Sequence, residues 1–133
     1  MSDVLIAHDH YHDIATAFAG ARAEGRLHID EMASGSAIAI PFVLVKGARA
    51  GKTFWINGQV HGNEITGIVA ALDFVNGLDI AAMSDAVIVT ATANPLGLDD
   101  RNFIVPQDVS NLDTVFPGDP TGFVSGRMAH RLF

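Results

Sequence analysis

Apolar residues are concentrated in several segments that are typical of β-strands. Residues 36–47, SAIAIPFVLVKG, form a β-rich run that a glycine ends, and residues 52–57, KTFWIN, form a shorter run after the turn GARAG. Residues 85–93, DAVIVTATA, are nearly all apolar, which is typical of a strand buried on both faces of a parallel sheet. Because Pro41 cannot donate a ladder hydrogen bond, its strand is predicted to lie at a sheet edge or to contain a bulge.

A helix is predicted between the second and third of these strands, from about residue 63 to residue 75. One apolar face is defined by residues at helical spacing, namely Ile65, Ile68, Val69, Leu72 and Val75. Asn63 is placed to cap the start, and Gly77 is placed to end the helix in a left-handed conformation. Strand, helix and strand together predict a βαβ unit. Ligands bind beyond the carboxyl ends of parallel strands, so the loops after residues 57 and 93 are expected to converge.

The flanking regions carry fewer regular signals. Residues 13–25 predict a short alanine-rich helix ended by a glycine, and residues 122–133 begin a helix with Val124, Met128 and Leu132 on one face. Residues 94–121 show little periodicity, but their apolar side chains indicate an ordered, functional loop rather than a disordered one. The last helix stops at Phe133 without a capping residue, which indicates a truncated chain.

Composition narrows the functional classes. The chain of 133 residues is 49% hydrophobic and 17% charged, so a folded domain is expected rather than a disordered chain. A formal net charge of −7 without any basic cluster argues against nucleic acid as a partner. Because the chain has no cysteine, a metal must be held by His, Asp or Glu. No signal peptide and no apolar run of about 20 residues is found, so a soluble cytoplasmic protein is expected.

The loop after residue 57, NGQVHGNEITG, contains the strongest candidate chemistry. His61 and Glu64 lie three positions apart at a strand-to-helix junction, and zinc accepts imidazole nitrogen and carboxylate oxygen as ligands. Gly58 and Gly62 allow a tight backbone turn and leave space for a substrate. From the spacing alone, the alternative is a glutamate favoured by the helix macrodipole beside an uninvolved histidine. The pattern is not H-E-x-x-H, in which both histidines lie on one helix.

Two segments resemble the succinylglutamate desuccinylase/aspartoacylase family of the zinc carboxypeptidase clan. The first begins at SGSAIAIPFVLVKG and contains the family's H-G-N-E motif. The second, ANPLGLDDRNFIVPQDVSNLDTVFPGDPTG, is similar to N-P-x-G … R … N-L-N-R-x-F-P-G-D-P. The resemblance implies an α/β, three-layer zinc-carboxypeptidase-like fold with a central mixed, largely parallel sheet, present only in part. Residues 1–33 are then an N-terminal extension, and residues 34–133 are the N-terminal portion of a catalytic domain.

The resemblance also implies roles for matching residues. His61 and Glu64 match the first two zinc ligands, and Arg101 matches the catalytic arginine that polarises the scissile carbonyl. Without the resemblance, Arg101 would be expected to be an exposed loop arginine paired with Asp99 or Asp100.

Three further positions are implied to lie at the substrate. Asn94 matches the N-P that shapes this loop, and Asn111 and Asp113 lie within the segment matching N-L-N-R. In the family, the Asn–Arg pair of that segment grips a substrate carboxylate, but this chain has Asp113 and Thr114 there. Asp113 would repel an acidic substrate, so a neutral or amine-bearing acyl amide is expected.

The family's third zinc ligand is a histidine in a D-x-H motif well after F-P-G, with a general-base glutamate later still. Both are expected beyond Phe133. His130 matches the helix before that motif, so it is not expected to be the third ligand. His8, His10 and His12 alternate in HDHYHD and offer another metal site on a strand, but a solvated N-terminal segment is the preferred interpretation.

The resemblance implies a zinc-dependent hydrolase (a deacylase) that cleaves the amide bond of a small N-acylated amine or amino acid. The chain would supply only part of the site and be inactive alone. The alternative is a catalytically silent truncated module that acts in binding or assembly. In either case the chain is expected to associate with itself or with the missing C-terminal part, because a shortened sheet exposes an edge and an apolar face.

Overall fold

The computed structural model describes residues 5–7, 14–15, 18 and 21–133. Within this part of the chain the strands are β1 (Leu5–Ala7), β2 (Arg22–Glu31), β3 (Ala37–Lys46), β4 (Thr53–Asn57) and β5 (Ala86–Thr90). Residues 14 and 15 are helical. The helices with described bounds are α1 (Thr66–Asn76), α2 (Pro95–Asp99) and α3 (Val124–Leu132), and a 3₁₀ turn covers Leu112–Thr114.

The strands form one sheet in the order β1-β2-β3-β5-β4. β1 pairs with β2 and β4 pairs with β5 in parallel, whereas the β2–β3 and β3–β5 pairs are antiparallel. The predicted mixed α/β fold is therefore confirmed. The three predicted strands correspond to β3, β4 and β5, and the parallel β4 and β5 are joined by α1, as predicted. The carboxyl ends of β4 and β5 thus lie at one edge of the sheet.

Pro41 lies in an interior strand but at a locally unpaired position. On one side it opposes Arg26 of β2. On the other side, β3 pairs with β5 only over Val43–Lys46, so Pro41 lies past the end of that ladder. The irregularity in the β2–β3 register falls between His28 and Asp30 rather than at Pro41. Pro41 is accommodated because the strand on its other side has ended, which is the reason proline is tolerated at edges.

Helices on opposite faces of the sheet give the predicted three layers. Alternate residues of a strand point to opposite faces, and β3 accordingly supplies Leu44 to one core and Val45 to the other. The core under α1 comprises Val45, Ala71, Val75, Val87 and Val89. The larger core on the other face includes Ile40, Ile88, Leu112, Met128 and Leu132, so it anchors both α3 and the 3₁₀ turn.

The predicted ends of α1 are wrong in detail. The helix begins at Thr66 rather than near residue 63, and Ile65 occupies the N-cap position, so Asn63 is not the cap. Gly77 follows the helix with φ −86° and ψ −3°, a right-handed conformation, rather than the left-handed one expected. The helix starts late because residues 61–64 first form a turn closed by a hydrogen bond from the Glu64 nitrogen to the His61 carbonyl oxygen at 3.0 Å.

The predicted apolar face of α1 is also largely exposed. Val75 is buried with Ala71, whereas Ile65, Val69 and Leu72 are exposed. The helix turns its small residues towards the sheet because Gly67 lies in backbone contact with Gly58, as described below.

The remaining regions combine confirmed and corrected expectations. α3 buries Met128 and Leu132 as predicted, and the loop over residues 94–121 is ordered around the buried Val105 and Leu112. The predicted helix over residues 13–25 is wrong from Arg22 onwards, which belongs to β2. His8, His10 and His12 lie outside the described residues. Among the helices of the described segments, none is long and apolar enough to cross a membrane.

Candidate active site

Two glycines fold the β4–α1 loop back over the end of the sheet. A Cβ atom placed on Gly67 would lie 1.6 Å from the carbonyl oxygen of Gly58, a distance that no side chain tolerates. The Gly58 nitrogen also donates to the Thr90 carbonyl oxygen at 2.9 Å, which extends the β4–β5 ladder by one step. This close contact places residues 59–65, with His61 and Glu64, at the carboxyl edge of the parallel strands.

A second glycine contact joins this loop to the loop that follows β5. A Cβ atom on Gly62 would lie 2.0 Å from the carbonyl carbon of Gly97 and 2.3 Å from the carbonyl oxygen of Asn102. Only a glycine allows the backbones to approach so closely. The two loops that were expected to converge at this edge therefore meet.

Asn94 organises the second loop from within. Its side chain is fully buried, and its Oδ1 atom accepts a hydrogen bond from the Gly97 nitrogen at 2.8 Å, which caps the start of α2. Its Nδ2 atom donates to the Ile104 carbonyl oxygen at 3.4 Å. The side chain thus shapes the loop, and its contact with a substrate stays a prediction.

His61 lies among oxygen atoms of three side chains. Its Nδ1 atom is 3.0 Å from Oε2 of Glu64, and its Nε2 atom is 3.1 Å from Oδ1 of Asn111 and 3.2 Å from Oδ2 of Asp113. The His61 side chain is 15% exposed, whereas the two carboxylates are partly open to solvent. The structure therefore brings together His61, Glu64, Asn111 and Asp113, which the sequence motifs assign to one site.

Phe103 completes the surroundings of His61 and was not predicted to do so. The two rings stack with centroids 3.7 Å apart and an interplanar angle of 13°. The stack fixes the plane of the imidazole and shields one of its faces. The available signal was that Phe103 follows Arg101 by two residues in the loop predicted to reach this edge.

The environment of His61 favours its charged form. Burial opposes the charge and is the largest single influence, but the hydrogen bond and negative charge of Glu64, with further contributions from Asn111 and Asp113, outweigh it. The pKa of His61 is consequently raised above its ordinary value. This direction follows from the geometry, because both ring nitrogens face oxygen atoms and only the imidazolium can donate at both.

Arg101 lies on the same pair of loops but forms no ion pair with a described residue. Its backbone has φ 52°, in the left-handed region, and its nitrogen donates to the Leu98 carbonyl oxygen at 3.1 Å. Its side chain is exposed and has no hydrogen bond or salt bridge with any described residue, so the alternative pairing with Asp99 or Asp100 is not observed. The guanidinium is thus open to solvent, and its contact with a substrate stays a prediction.

The His61–Glu64 pair fits a metal. Two ligand atoms held by tetrahedral zinc at about 2.0–2.2 Å are separated by about 3.3–3.6 Å. His61 Nδ1 and Glu64 Oε2 are 3.0 Å apart, so they need only a small separation to share an ion. The contacts of Nε2 with Asn111 and Asp113 are of the kind that fixes which ring nitrogen faces a metal. Within the described ranges, no group of three or more His, Asp or Glu side chains could hold an ion.

A large cavity in the described part of the chain lies elsewhere. It has a volume of about 700 Å³ and is lined by Lys46, Arg49 and Ile80 among others, near the end of β3. The amino end of β4 is nearby, because a second cavity shares Lys46 and Arg49 and reaches Thr53. These cavities do not include His61, so the candidate site is defined by its side-chain chemistry rather than by cavity size.

Known proteins similar to this chain share its fold. The N-alpha-acetyl-L-2,4-diaminobutyric acid deacetylase of Halomonas elongata is 34% identical over 100 residues, which is 75% of this chain and 29% of that protein. The structure of an aspartoacylase family protein from Mesorhizobium loti matches with a TM-score of 0.73 and 28% identity, covering 85% of this chain and 36% of that chain. The product-bound ectoine utilization protein of Ruegeria pomeroyi matches with a TM-score of 0.75 and 25% identity, covering 82% and 34%.

The chain thus spans about a third of the length of these relatives. Residues 50–133 match the model of the succinylglutamate desuccinylase/aspartoacylase catalytic domain. That range includes the glycine-supported loop with His61 and Glu64 as well as Arg101, Asn111 and Asp113. The chain belongs to the succinylglutamate desuccinylase/aspartoacylase family.

Proposed function

We propose that the chain supplies two metal ligands and a catalytic arginine to a zinc-dependent amide hydrolase that deacylates a small N-acylated amine or amino acid. The observation that carries the proposal is the His61–Glu64 pair, with donor atoms 3.0 Å apart at the carboxyl edge of the parallel strands. The family supports it, because its description names deacylases and the Halomonas elongata relative is named as a deacetylase.

Each residue has a defined part in the proposed reaction. His61 Nδ1 and Glu64 Oε2 would hold the zinc ion, which when bound acidifies a water molecule and polarises a carbonyl oxygen. Asn111 and Asp113 keep the remaining His61 proton on Nε2, so that the lone pair stays on Nδ1. Arg101 donates hydrogen bonds to the oxyanion that forms on the scissile carbonyl.

The side chains beside His61 also favour a particular substrate charge. Asp113 places a carboxylate where the family uses an Asn–Arg pair to grip an acid, and the Thr114 hydroxyl is engaged with the Asn111 carbonyl oxygen at 2.8 Å. An amine-bearing or neutral acyl amide therefore fits better than an acyl-aspartate. The name of the Halomonas elongata relative specifies a diamino acid acetylated at one nitrogen.

We further propose that the third ligand and the general base are supplied by residues that follow Phe133 in the polypeptide, through a D-x-H motif and a later glutamate. Residues 34–133 would then be the N-terminal portion of the catalytic domain. In this arrangement the chain by itself binds zinc only weakly, since a site with two protein ligands leaves the ion largely hydrated.

Zinc titration by calorimetry tests the proposal on the chain itself. We expect weak binding that His61→Ala and Glu64→Gln abolish and Arg101→Ala leaves unchanged, because Arg101 acts on the substrate rather than on the metal. If the variants bind as the parent chain does, the ion is held elsewhere, and a variant lacking His8, His10 and His12 would identify that segment. Complete absence of binding by the parent chain would favour the silent binding module.

Substrate preference is tested in the polypeptide that includes the C-terminal part. We expect faster release of acetate from N-alpha-acetyl-2,4-diaminobutyrate than from N-acetylaspartate. The double change Asp113→Asn with Thr114→Arg should reverse the order, because it restores the family's Asn–Arg pair. An unchanged order would separate Asp113 from substrate recognition.

A further inference from the structure

Two buried polar side chains, Gln59 and Thr92, form a hydrogen-bonded series that reaches the backbone carbonyl of His61 rather than its ring. Gln59 and Thr92 are 3% and 6% exposed. The Thr92 hydroxyl donates a short hydrogen bond to Oε1 of Gln59, and Nε2 of Gln59 donates to the carbonyl oxygen of His61 at 2.6 Å. A buried amide is expected to be paired, and here both ends of the amide are paired.

The far end of this hydrogen-bonded series reaches the loop after β5. The Thr92 hydroxyl accepts a hydrogen bond from the Asn94 nitrogen at 3.1 Å, and the Ala93 nitrogen donates to the Gln59 carbonyl oxygen at 2.8 Å. Asn94 in turn caps α2, which leads directly to Arg101. The side chain of Gln59 thus connects the loop that contains Arg101 to the loop that contains His61.

The near end of the series acts on the turn between the two candidate ligands. The His61 carbonyl oxygen accepts one hydrogen bond from Gln59 and a second from the Glu64 nitrogen at 3.0 Å. The backbone turn that sets the separation of the His61 and Glu64 side chains is therefore fixed by Gln59 from outside the turn.

We propose that Gln59 is a positioning residue, which holds the His61–Glu64 turn in register with the β5–α2 loop through Thr92. An amide suits this task because it accepts at one atom and donates at the other. Neither an ionised carboxylate nor an apolar side chain of similar length does both. The inference rests on the proposed function only for the measurement of zinc binding.

Gln59→Met is the informative variant, because methionine keeps the length of the side chain and removes both hydrogen bonds. In the parent chain, we expect stacking on Phe103 to shift the ring-proton resonances of His61 away from their values in an unfolded chain. Gln59→Met should remove most of that shift and weaken zinc binding about tenfold, the usual cost of losing an outer contact to a metal ligand.

Matched variants separate positioning from stability. Val87→Ala lowers the stability of the core under α1, towards the amino end of β5, and should leave the ring shift and zinc binding unchanged. Thr92→Ser keeps the hydroxyl and should behave as the parent chain, whereas Thr92→Val should act as Gln59→Met does, but less strongly. If Gln59→Met does not fold, the comparison of Thr92→Val with Thr92→Ser decides.

Parent-like ring shifts in both Gln59→Met and Thr92→Val would overturn the proposal. So would an equal loss of ring shift in Val87→Ala, since that loss would reflect stability alone. The ring shift is measured without metal, so it tests Gln59 even if the parent chain binds no zinc. That second result would count against the proposed function and not against the positioning role.

Discussion

At the scale of single residues, His61 is contacted at both ring nitrogens by oxygen atoms, which gives the metal-free chain a defined pH response. The folded-state pKa lies above the unfolded value of about 6.5, so the imidazolium stabilises the fold below that pH. The contribution is lost as the pH rises through the raised pKa. We expect Glu64→Gln to lower the His61 pKa more than Asp113→Asn does, because Glu64 contributes more to the shift.

Proton NMR titration of the His61 ring, with denaturant unfolding followed through the same pH range, measures both effects. In Glu64→Gln the loss of stability on going from acidic to neutral pH should become smaller. If the His61 pKa is the same in all three proteins, the distances to Glu64 and Asp113 do not describe the solution state.

The sequence predicts best those site contacts that join residues close together in the chain. His61 and Glu64 are three positions apart at a strand end, so their proximity follows from the turn itself. Phe103 and Gln59 could not be assigned in the same way. Phe103 contacts His61 across 42 positions of sequence, and Gln59 is an ordinary polar residue until its burial against Thr92 is known.

At the scale of elements, hydrophobic periodicity and composition correctly predicted β3, β4, β5 and α3. They predicted the wrong buried face for α1. Counting apolar positions at helical spacing ranks Ile65, Val69 and Leu72 as the buried face. Of the predicted face the structure buries only Val75, together with Ala71, because backbone contact between Gly67 and Gly58 determines which side meets the sheet. Periodicity gives weight to large side chains, whereas a close helix–strand approach requires small ones.

The glycine contact gives a prediction with an internal control on the same helix. Gly67→Ala forces a methyl group against the Gly58 carbonyl oxygen, so we expect the free energy of unfolding to fall by about 2 kcal/mol or more, with weaker zinc binding as the His61 loop shifts. Gly77→Ala adds a Cβ whose nearest neighbour, the Asp73 oxygen, is 3.3 Å away, at a φ that alanine accepts. It should change stability by less than about 1 kcal/mol.

Urea unfolding of both variants, followed by far-ultraviolet circular dichroism, makes the comparison. Equal effects of the two substitutions would show that helix propensity, rather than the Gly58–Gly67 contact, determines the stability of this junction.

At the scale of the whole molecule, the fold leaves apolar surface on one side of the sheet. The exposed apolar residues there are Phe54 on β4 and Ile65, Val69, Leu72 and Phe74 in and beside α1. β4 is the last strand in the sheet order, and no described strand pairs with its outer edge. An unpaired edge beside exposed apolar side chains favours pairing with another polypeptide.

We therefore expect the chain to associate with itself, with a light-scattering mass that rises with concentration.

Val69→Lys introduces a charge into the exposed surface of α1 and should shift the mass towards that of the monomer at equal concentration. Phe123→Lys, at an even more exposed position before α3 on the other side of the sheet, should leave the association unchanged. The surface of α1 and β4 does not mediate association if the parent chain stays monomeric at every concentration. The same conclusion follows if Val69→Lys and Phe123→Lys change the light-scattering mass equally.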